Sequence, residues 1–242
     1  MANFDPTKAD LVTVGQAKAW IPGFVNNPVP DDVIQTIVTA TSRDIVRMLG
    51  AKVDYDPNSP TFGYSTLNAQ INFTLVMDGN GSDVLFPPIR PLINLTSLLV
   101  NGYAPPINVG YGQQGVAIET DGYSIAFQSA GFGHGSTTTQ GWPVGGSSGR
   151  FPMGRRNVQL GCLAGYGTPT PNTNPQEWTA PADLQEACMM IVAYNYTRRD
   201  RVGLDSENIA NVGSTTYMKL EYPPEAKVIL NKYVRVALGS QA

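Results

Sequence analysis

Helical periodicity appears only near the two ends of this chain, and a long stretch rich in turn residues separates them. That arrangement constrains the fold more than any single motif. Thr13 to Trp20 reads as a short helix, with Thr13 as N-cap and Pro22-Gly23 as the stop. Pro30, Asp31 and Asp32 open a second helix and put negative charge at the positive end of its dipole. Ile34, Ile37, Val38, Ile45, Met48 and Leu49 fall largely on one face of it. Arg43 and Arg47 lie near its end, and Gly50 suits the C′ position. Helical period returns at Pro181, Asp183 and Glu186, which make a good first turn. Leu184, Ala187, Cys188, Ile191, Val192 and Asn195 trace its mostly apolar face, and Arg198, Arg199 and Arg201 close it before Gly203. Pro223 and Pro224 start a last helix, whose Ile229, Leu230, Tyr233, Val234 and Leu238 face one way. Short helices with one apolar face are marginal alone, so the early and late helices should pack together.

The middle of the chain reads as strands and turns. Asp54 to Ser65 is turn-rich, because Asp56-Pro57-Asn58-Ser59-Pro60 cannot be helix interior. Strands are predicted at Ile71 to Met77, Val84 to Phe86, Leu92 to Val100, Val116 to Glu119, Tyr123 to Phe127 and Val158 to Ala164. Asp78-Gly79-Asn80-Gly81, Asn101-Gly102 and Asp121-Gly122 supply hairpin-type turns. Ser129 to Arg150 is dominated by Gly, Ser and Thr and reads as one long exposed loop, a kind usually functional or mobile. Tyr166 to Gln176 reads as a linker, and Asp205 to Thr216 as a polar stretch. With 25 glycines and 19 prolines in 242 residues, an all-helical bundle is excluded, while 42% apolar residues suffice for a packed core. The expected class is α+β: a small helical bundle built from both chain ends with an inserted antiparallel β-rich domain. Residues 1–50 and 178–242 are assigned to the bundle, and 51–177 to the insert with its Gly-rich loop at 129–150. No repeat of fixed period is visible.

Chemistry is sparse along the chain. A net charge of -3 argues against a general nucleic-acid binder, which carries a basic excess. Cys162 and Cys188 lack metal-ligand spacing and read as two buried free thiols, although one bridge between them is compatible with the sequence. Gly110-Tyr111-Gly112-Gln113-Gln114-Gly115 has the spacing of a dinucleotide fingerprint but precedes a strand rather than a helix, so it reads as a hairpin loop. His134, the single histidine, lies between glycines, which favours an exposed loop residue over a catalytic base beside Ser136. Asp54 and Asp56 suit a turn better than a cation site. Asn72, Asn94 and Asn195 match the glycosylation sequon and read as ordinary strand and helix residues. Arg198, Arg199 and Arg201 form the densest basic cluster. It can complement the helix dipole, contact phosphate, or bridge to a neighbouring subunit, and the first needs nothing extra. Arg150, Arg155 and Arg156 flank the Gly-rich loop and read as a solvated edge rather than a DNA or acidic-partner contact. Tyr217, Tyr222 and Tyr233 suit a core or an interface equally. The expectation is a protein without enzymatic activity, cofactor or metal. Its beginning, MANFDPTKAD, shows no signal-peptide pattern, and no stretch approaches the roughly 18 apolar residues of a membrane span, so cytoplasmic synthesis is expected.

The terminal segments carry a resemblance. Leu11-Val12-Thr13-Val14-Gly15-Gln16-Ala17-Lys18-Ala19-Trp20, followed by Asp31 to Thr41, resembles the opening of the gp6-like head–tail connector (adaptor) proteins of tailed bacteriophages. Pro181 to Ala187, continuing through Tyr194-Asn195-Tyr196-Thr197-Arg198-Arg199-Asp200, is similar to that family's third helix with its arginine-rich end. Pro87-Pro88-Ile89-Arg90-Pro91-Leu92 and Gly161 to Gly167 are like the longer members with a β-rich insert. The resemblance covers about half the chain and leaves Ser129 to Arg150 unmatched.

The resemblance implies a structural virion protein of the neck between capsid and tail, made in the bacterial host cytoplasm. Copies would form a homo-oligomeric ring, typically of twelve, that docks on the portal protein and meets tail or neck proteins. DNA would pass through the channel without sequence-specific binding, and no membrane is involved. The helix from Pro224 to Leu238 and the tail Gly239 to Ala242 correspond to the portal-docking segment, with Lys232, Tyr233, Arg235, Val236 and Leu238 as its contacts. Arg198, Arg199 and Arg201 would then meet a neighbouring subunit or phosphate. Two other classes compete with this reading. One is a β-rich tail-fibre or capsid-decoration module, and the other is a hydrolase using His134.

Overall fold

A computed structural model describes residues 5–21, 30–110, 113, 115–128, 150–171, 177–199, 206–209, 213–216 and 222–234. The chain divides into two compact units, Met1–Asn68 with Gly167–Ala242, and Ala69–Tyr166. The class is α+β, as the periodicity predicts.

Among the described residues, the first unit is built on four α-helices. A 3₁₀ turn over Pro6–Ala9 is capped by Asp5, whose carboxylate accepts from the Thr7 amide and hydroxyl. Helix α1 is Val14–Trp20. Its N-terminus is closed reciprocally: Thr13 Oγ1 accepts from the Gln16 amide at 3.2 Å, and Gln16 Oε1 accepts from the Thr13 amide at 2.8 Å. This capping box satisfies two amides that the first turn leaves without partners. Helix α2, Asp31–Met48, starts after Pro30 and carries both aspartates in its first turn. Its buried residues Ile34, Val38, Thr41, Ser42, Ile45 and Val46 follow helical period, and Gly50 beyond its end adopts a φ of +60°. Helix α3 is Ala182–Arg198 and α4 is Pro224–Asn231. Helix α3 packs against each of the other three. Leu184, Ala187, Cys188, Ile191 and Val192 are buried as expected, but Tyr196 completes the row, and Asn195 is exposed with its amide on Thr41 Oγ1.

Three departures from the sequence reading fall in this unit. A small antiparallel pair begins inside the linker and closes just beyond it, β7 Thr168–Pro169 with β8 Trp178–Thr179. The polar stretch contains β9 Ser206–Ile209 paired with β10 Gly213–Thr216. Both pairs are too short and too polar to show an apolar alternation. The last helix also stops at Asn231 and does not reach Leu238. Lys232 and Tyr233 donate backbone bonds to Ile229 and Leu230, a tightening usual at helix ends.

Among the described residues, the second unit contains two antiparallel three-stranded sheets. One has the order β1-β6-β3, from Ile71–Gly79, Gly154–Ala164 and Leu92–Val100. The other has the order β2-β5-β4, from Val84–Leu85, Ile125–Gln128 and Gly115–Ile118. Leu85, Ile89, Leu92, Leu95, Leu98, Val116, Ile125, Phe151, Val158, Leu160 and Cys162 form the core. Phe127 leans on Phe151 with centroids 4.5 Å apart. Strand β3 hides its alternation because register shifts follow Leu92 and Leu95, so its buried residues recur every third position at first. Strand β6 begins four residues before its apolar run. The polar residues Arg155, Arg156 and Asn157 lie across an irregularity in the pairing with β1. Asn101 and Gly102 both have positive φ, and the flanking Val100 and Tyr103 exchange backbone bonds, as a two-residue hairpin turn requires.

Candidate functional site

Among the described residues, polar chemistry concentrates in the first unit along a seam between the N-terminal segment, α2 and α3. The Leu11 amide donates to Ser42 Oγ at 3.1 Å, and Ser42 Oγ lies 3.7 Å from Cys188 Sγ. Asp10 Oδ2 accepts from Gln35 Nε2 at 2.6 Å and from Thr39 Oγ1 at 2.9 Å. Its Oδ1 is buried with no hydrogen-bond partner among the described residues. Burial pushes the Asp10 carboxyl up to about 6, against the opposing pull of the Thr39 and Gln35 bonds. A cleft of about 440 Å³ opens beside it, lined also by Thr13, Gln16, Trp178 and Gln185. The amides of that cleft bond one another: Gln16 Nε2 donates to Gln185 Oε1, and Gln185 Nε2 donates to the Ala180 carbonyl. Among the described residues, neither imidazole nor thiol lines it.

Both cysteines are free and buried, as expected. Desolvation pushes the Cys162 thiol up to about 11 and the Cys188 thiol to about 12, so neither is a ready nucleophile. Asp54 holds a turn: Oδ1 accepts from the Asp56 amide and Oδ2 from Thr61 Oγ1. Asn72 and Asn94 stand in strands and Asn195 in a helix. Gly115 opens β4, so the glycine fingerprint leads into a strand and lacks the helix that would hold a pyrophosphate. Residues 111, 112 and 114 of that run lie outside the described residues, as do His134 and all of 129–149. No group of three metal-ligating side chains occurs among the described residues, and no described helix is long and apolar enough to cross a membrane.

The arginines at the end of α3 are held by tyrosines of their own helix. Arg198 lies 4.9 Å from the Tyr194 ring centroid and donates to its hydroxyl. Arg199 lies 3.9 Å from the Tyr196 centroid. Cation–π stacking at helical spacing thus adds to the dipole term. Arg201 lies outside the described residues. Arg150, Arg155 and Arg156 are exposed, and the Arg156 amide donates to Asp78 Oδ1 at 2.7 Å.

After α4, Lys232 is exposed and Tyr233 is half-buried, its hydroxyl donating to Asp183 Oδ1 at 2.5 Å. Arg235, Val236, Leu238 and Tyr217 lie outside the described residues. A second cleft, of about 530 Å³, separates the end of α2 (Asp44, Arg47, Met48) from Tyr222, Lys227 and Leu230. Sequence reasoning missed Asp10, Asn108 and Asn157. Asn157 Oδ1 accepts from the Gly79 amide and its Nδ2 donates to the Pro152 carbonyl, while Asn108 clasps the backbone of Leu95. A lone polar residue in a turn carries no periodic signal; only the Asn108 φ of +55°, invisible in sequence, sets it apart.

No protein-family model matches the chain, and no curated protein matches it. Among solved structures, the chain is similar to one from the neck of an empty gene transfer agent particle with C6 symmetry. The identity is 15%, the TM-score 0.48, and the match covers 99% of this chain and 96% of that one. A chain from the virion of a native gene transfer agent particle gives 16% identity, a TM-score of 0.48 and the same coverage. A chain from the neck of a native particle with C12 symmetry gives 14% identity, a TM-score of 0.43 and coverage of 96% of each chain.

Proposed function

We propose that this chain is a structural protein of a phage-like virion neck, a ring-forming adaptor that docks on a portal and extends the DNA channel to the tail. The observation that carries the reading is the element order. A short capped helix, an aspartate-started helix, a β-rich insert, a helix with an arginine-rich end and a terminal helix follow one another, and α3 packs on the other three helices. This is the order on which the resemblance to connector proteins rests. In this reading, twelve copies meet head to tail, a contact that closes by rotation. Arg198, Arg199 and Arg201 face a neighbouring subunit or phosphate, and the residues after α4 reach the portal.

Portal docking is assigned to Lys232, Tyr233, Arg235, Val236 and Leu238. Ala226 and Leu230 of α4 are buried, and Tyr233 is tied to α3, so removing α4 itself would open the bundle core. The cleaner test deletes 235–242 alone. The variant is expected to melt like the full chain and to lose portal binding in co-sedimentation. Undiminished portal binding would mean that the docking segment lies elsewhere.

A further inference from the structure

Two Asn-Gly pairs stand in turns of the second unit, Asn80-Gly81 and Asn101-Gly102, and the sequence makes them equals. The structure separates them at the atoms of one reaction, the attack of a glycine amide nitrogen on the carboxamide carbon of the asparagine before it. At the first pair these groups are engaged. Asn80 Nδ2 donates to the Val84 carbonyl at 2.8 Å, and its Oδ1 accepts from the Ser82 amide at 3.0 Å. The Gly81 amide donates to the carbonyl of the fully buried Phe151 at 2.8 Å. At the second pair both residues are exposed, with φ of +50° and +80°. Neither the Asn101 carboxamide nor the Gly102 amide has a hydrogen-bond partner among the described residues. A Cβ placed on Gly102 would meet nothing within 4 Å, so the approach to its nitrogen is open. Asn58-Ser59, the nearest chemical equivalent, is closed as well: the Ser59 amide donates to the Asp56 carbonyl at 3.0 Å.

We propose that Asn101 is a self-modification site, converted to aspartate and isoaspartate, and that the fold spares Asn80. The Gly102 nitrogen forms a bond to Asn101 Cγ and the Cγ–Nδ2 bond breaks. The departing –NH2 takes the proton that the Gly102 nitrogen loses and leaves as ammonia. Water then opens one of the two C–N bonds of the cyclic imide, which places the new acid either on the side chain or on the main chain. No oxidant, reductant or cofactor takes part. Glycine suits the attack because no Cβ shields its nitrogen. The turn must open for a moment to bring nitrogen and carbon together, and an exposed turn is among the cheapest parts of a fold to open. At Asn80 the bonds to Val84, Ser82 and Phe151 must break first. Either product adds one negative charge. The isoaspartyl form also lengthens the main chain inside a turn whose flanks, Val100 and Tyr103, are bonded to each other. It therefore strains the bond from the Asn101 amide to the Asn157 carbonyl, at a residue whose side chain holds Gly79 and Pro152. This inference does not rest on the adaptor reading.

The test incubates the purified full chain in mildly alkaline buffer, folded and in guanidinium chloride, and follows each asparagine by peptide mapping with mass spectrometry. Fragmentation that distinguishes isoaspartate from aspartate identifies the products. In the unfolded chain both Asn-Gly pairs are expected to convert at similar rates. In the folded chain Asn101 should convert more than about ten-fold faster than Asn80, because only the latter is held by hydrogen bonds. Ion exchange should show an acidic form growing at the rate of Asn101 conversion, and Asn101→Gln should abolish that form. Folded chain in which Asn80 converts as fast as Asn101 would overturn the proposal. So would an Asn101 that stays intact in the folded chain while the unfolded chain converts, or an acidic form that persists unchanged in Asn101→Gln.

Discussion

Asp10 is the residue whose protonation the fold changes most visibly toward neutrality. Its carboxyl is raised from 3.8 to about 6 in the folded chain, so between those values the folded state holds more proton than the unfolded one. Stability therefore falls as pH rises through that window and is lowest above it. Asp10→Asn keeps an acceptor for Gln35 and Thr39 and removes the charge. We expect it to gain thermal stability relative to wild type at pH 7.5, with the gain vanishing near pH 4; an equal difference at both would contradict the assignment. Gly79 makes a second residue-scale prediction. A Cβ there would stand 2.0 Å from the Pro152 carbonyl oxygen, so backbone would have to move. Gly79→Ala should cost about 1–3 kcal/mol in urea unfolding, the usual range for overpacking. At this scale the sequence was informative where residue type and neighbours are linked by a local rule. The Thr13 cap, the Gly50 terminus and the pair of free thiols all follow from such rules. The role of Asp10 does not, because it depends on Gln35 and Thr39, which only tertiary folding brings to it.

Among elements, legibility tracked length and periodicity. Helices α1, α2 and α3 begin where capping residues and prolines place them, and β1 and β3 start at the expected residues. The β7–β8 and β9–β10 pairs were missed because strands of two to four residues leave no pattern to read. The end of α4 was misread because Tyr233 continues the apolar helical spacing while its hydroxyl is tied to Asp183. The Asn108 clasp on Leu95 of β3 gives the element-scale prediction. Asn108 has a φ of +55°, so Asn108→Gly keeps the backbone and removes only the side-chain amide. The Leu95 amide and carbonyl then lose their partners at a buried position, and unfolding free energy should drop by about 1–3 kcal/mol. Unchanged stability would mean that water serves the edge equally well.

For the whole molecule, two compact units arise from a chain whose ends belong to one and whose middle supplies the other. The class was legible because helical period and strand alternation occupy different stretches of sequence. The functional proposal rests only on the order of elements, since packing faces, unlike catalytic motifs, leave no residue whose chemistry names its task. The central claim is the neck adaptor, and the most direct measurement is electron microscopy of the full chain mixed with the portal ring of the same genome. The account predicts a second ring stacked coaxially on the narrow end of the portal, with twelve copies around a continuous channel. Portal rings without added density, while this chain is folded and in excess, would contradict it.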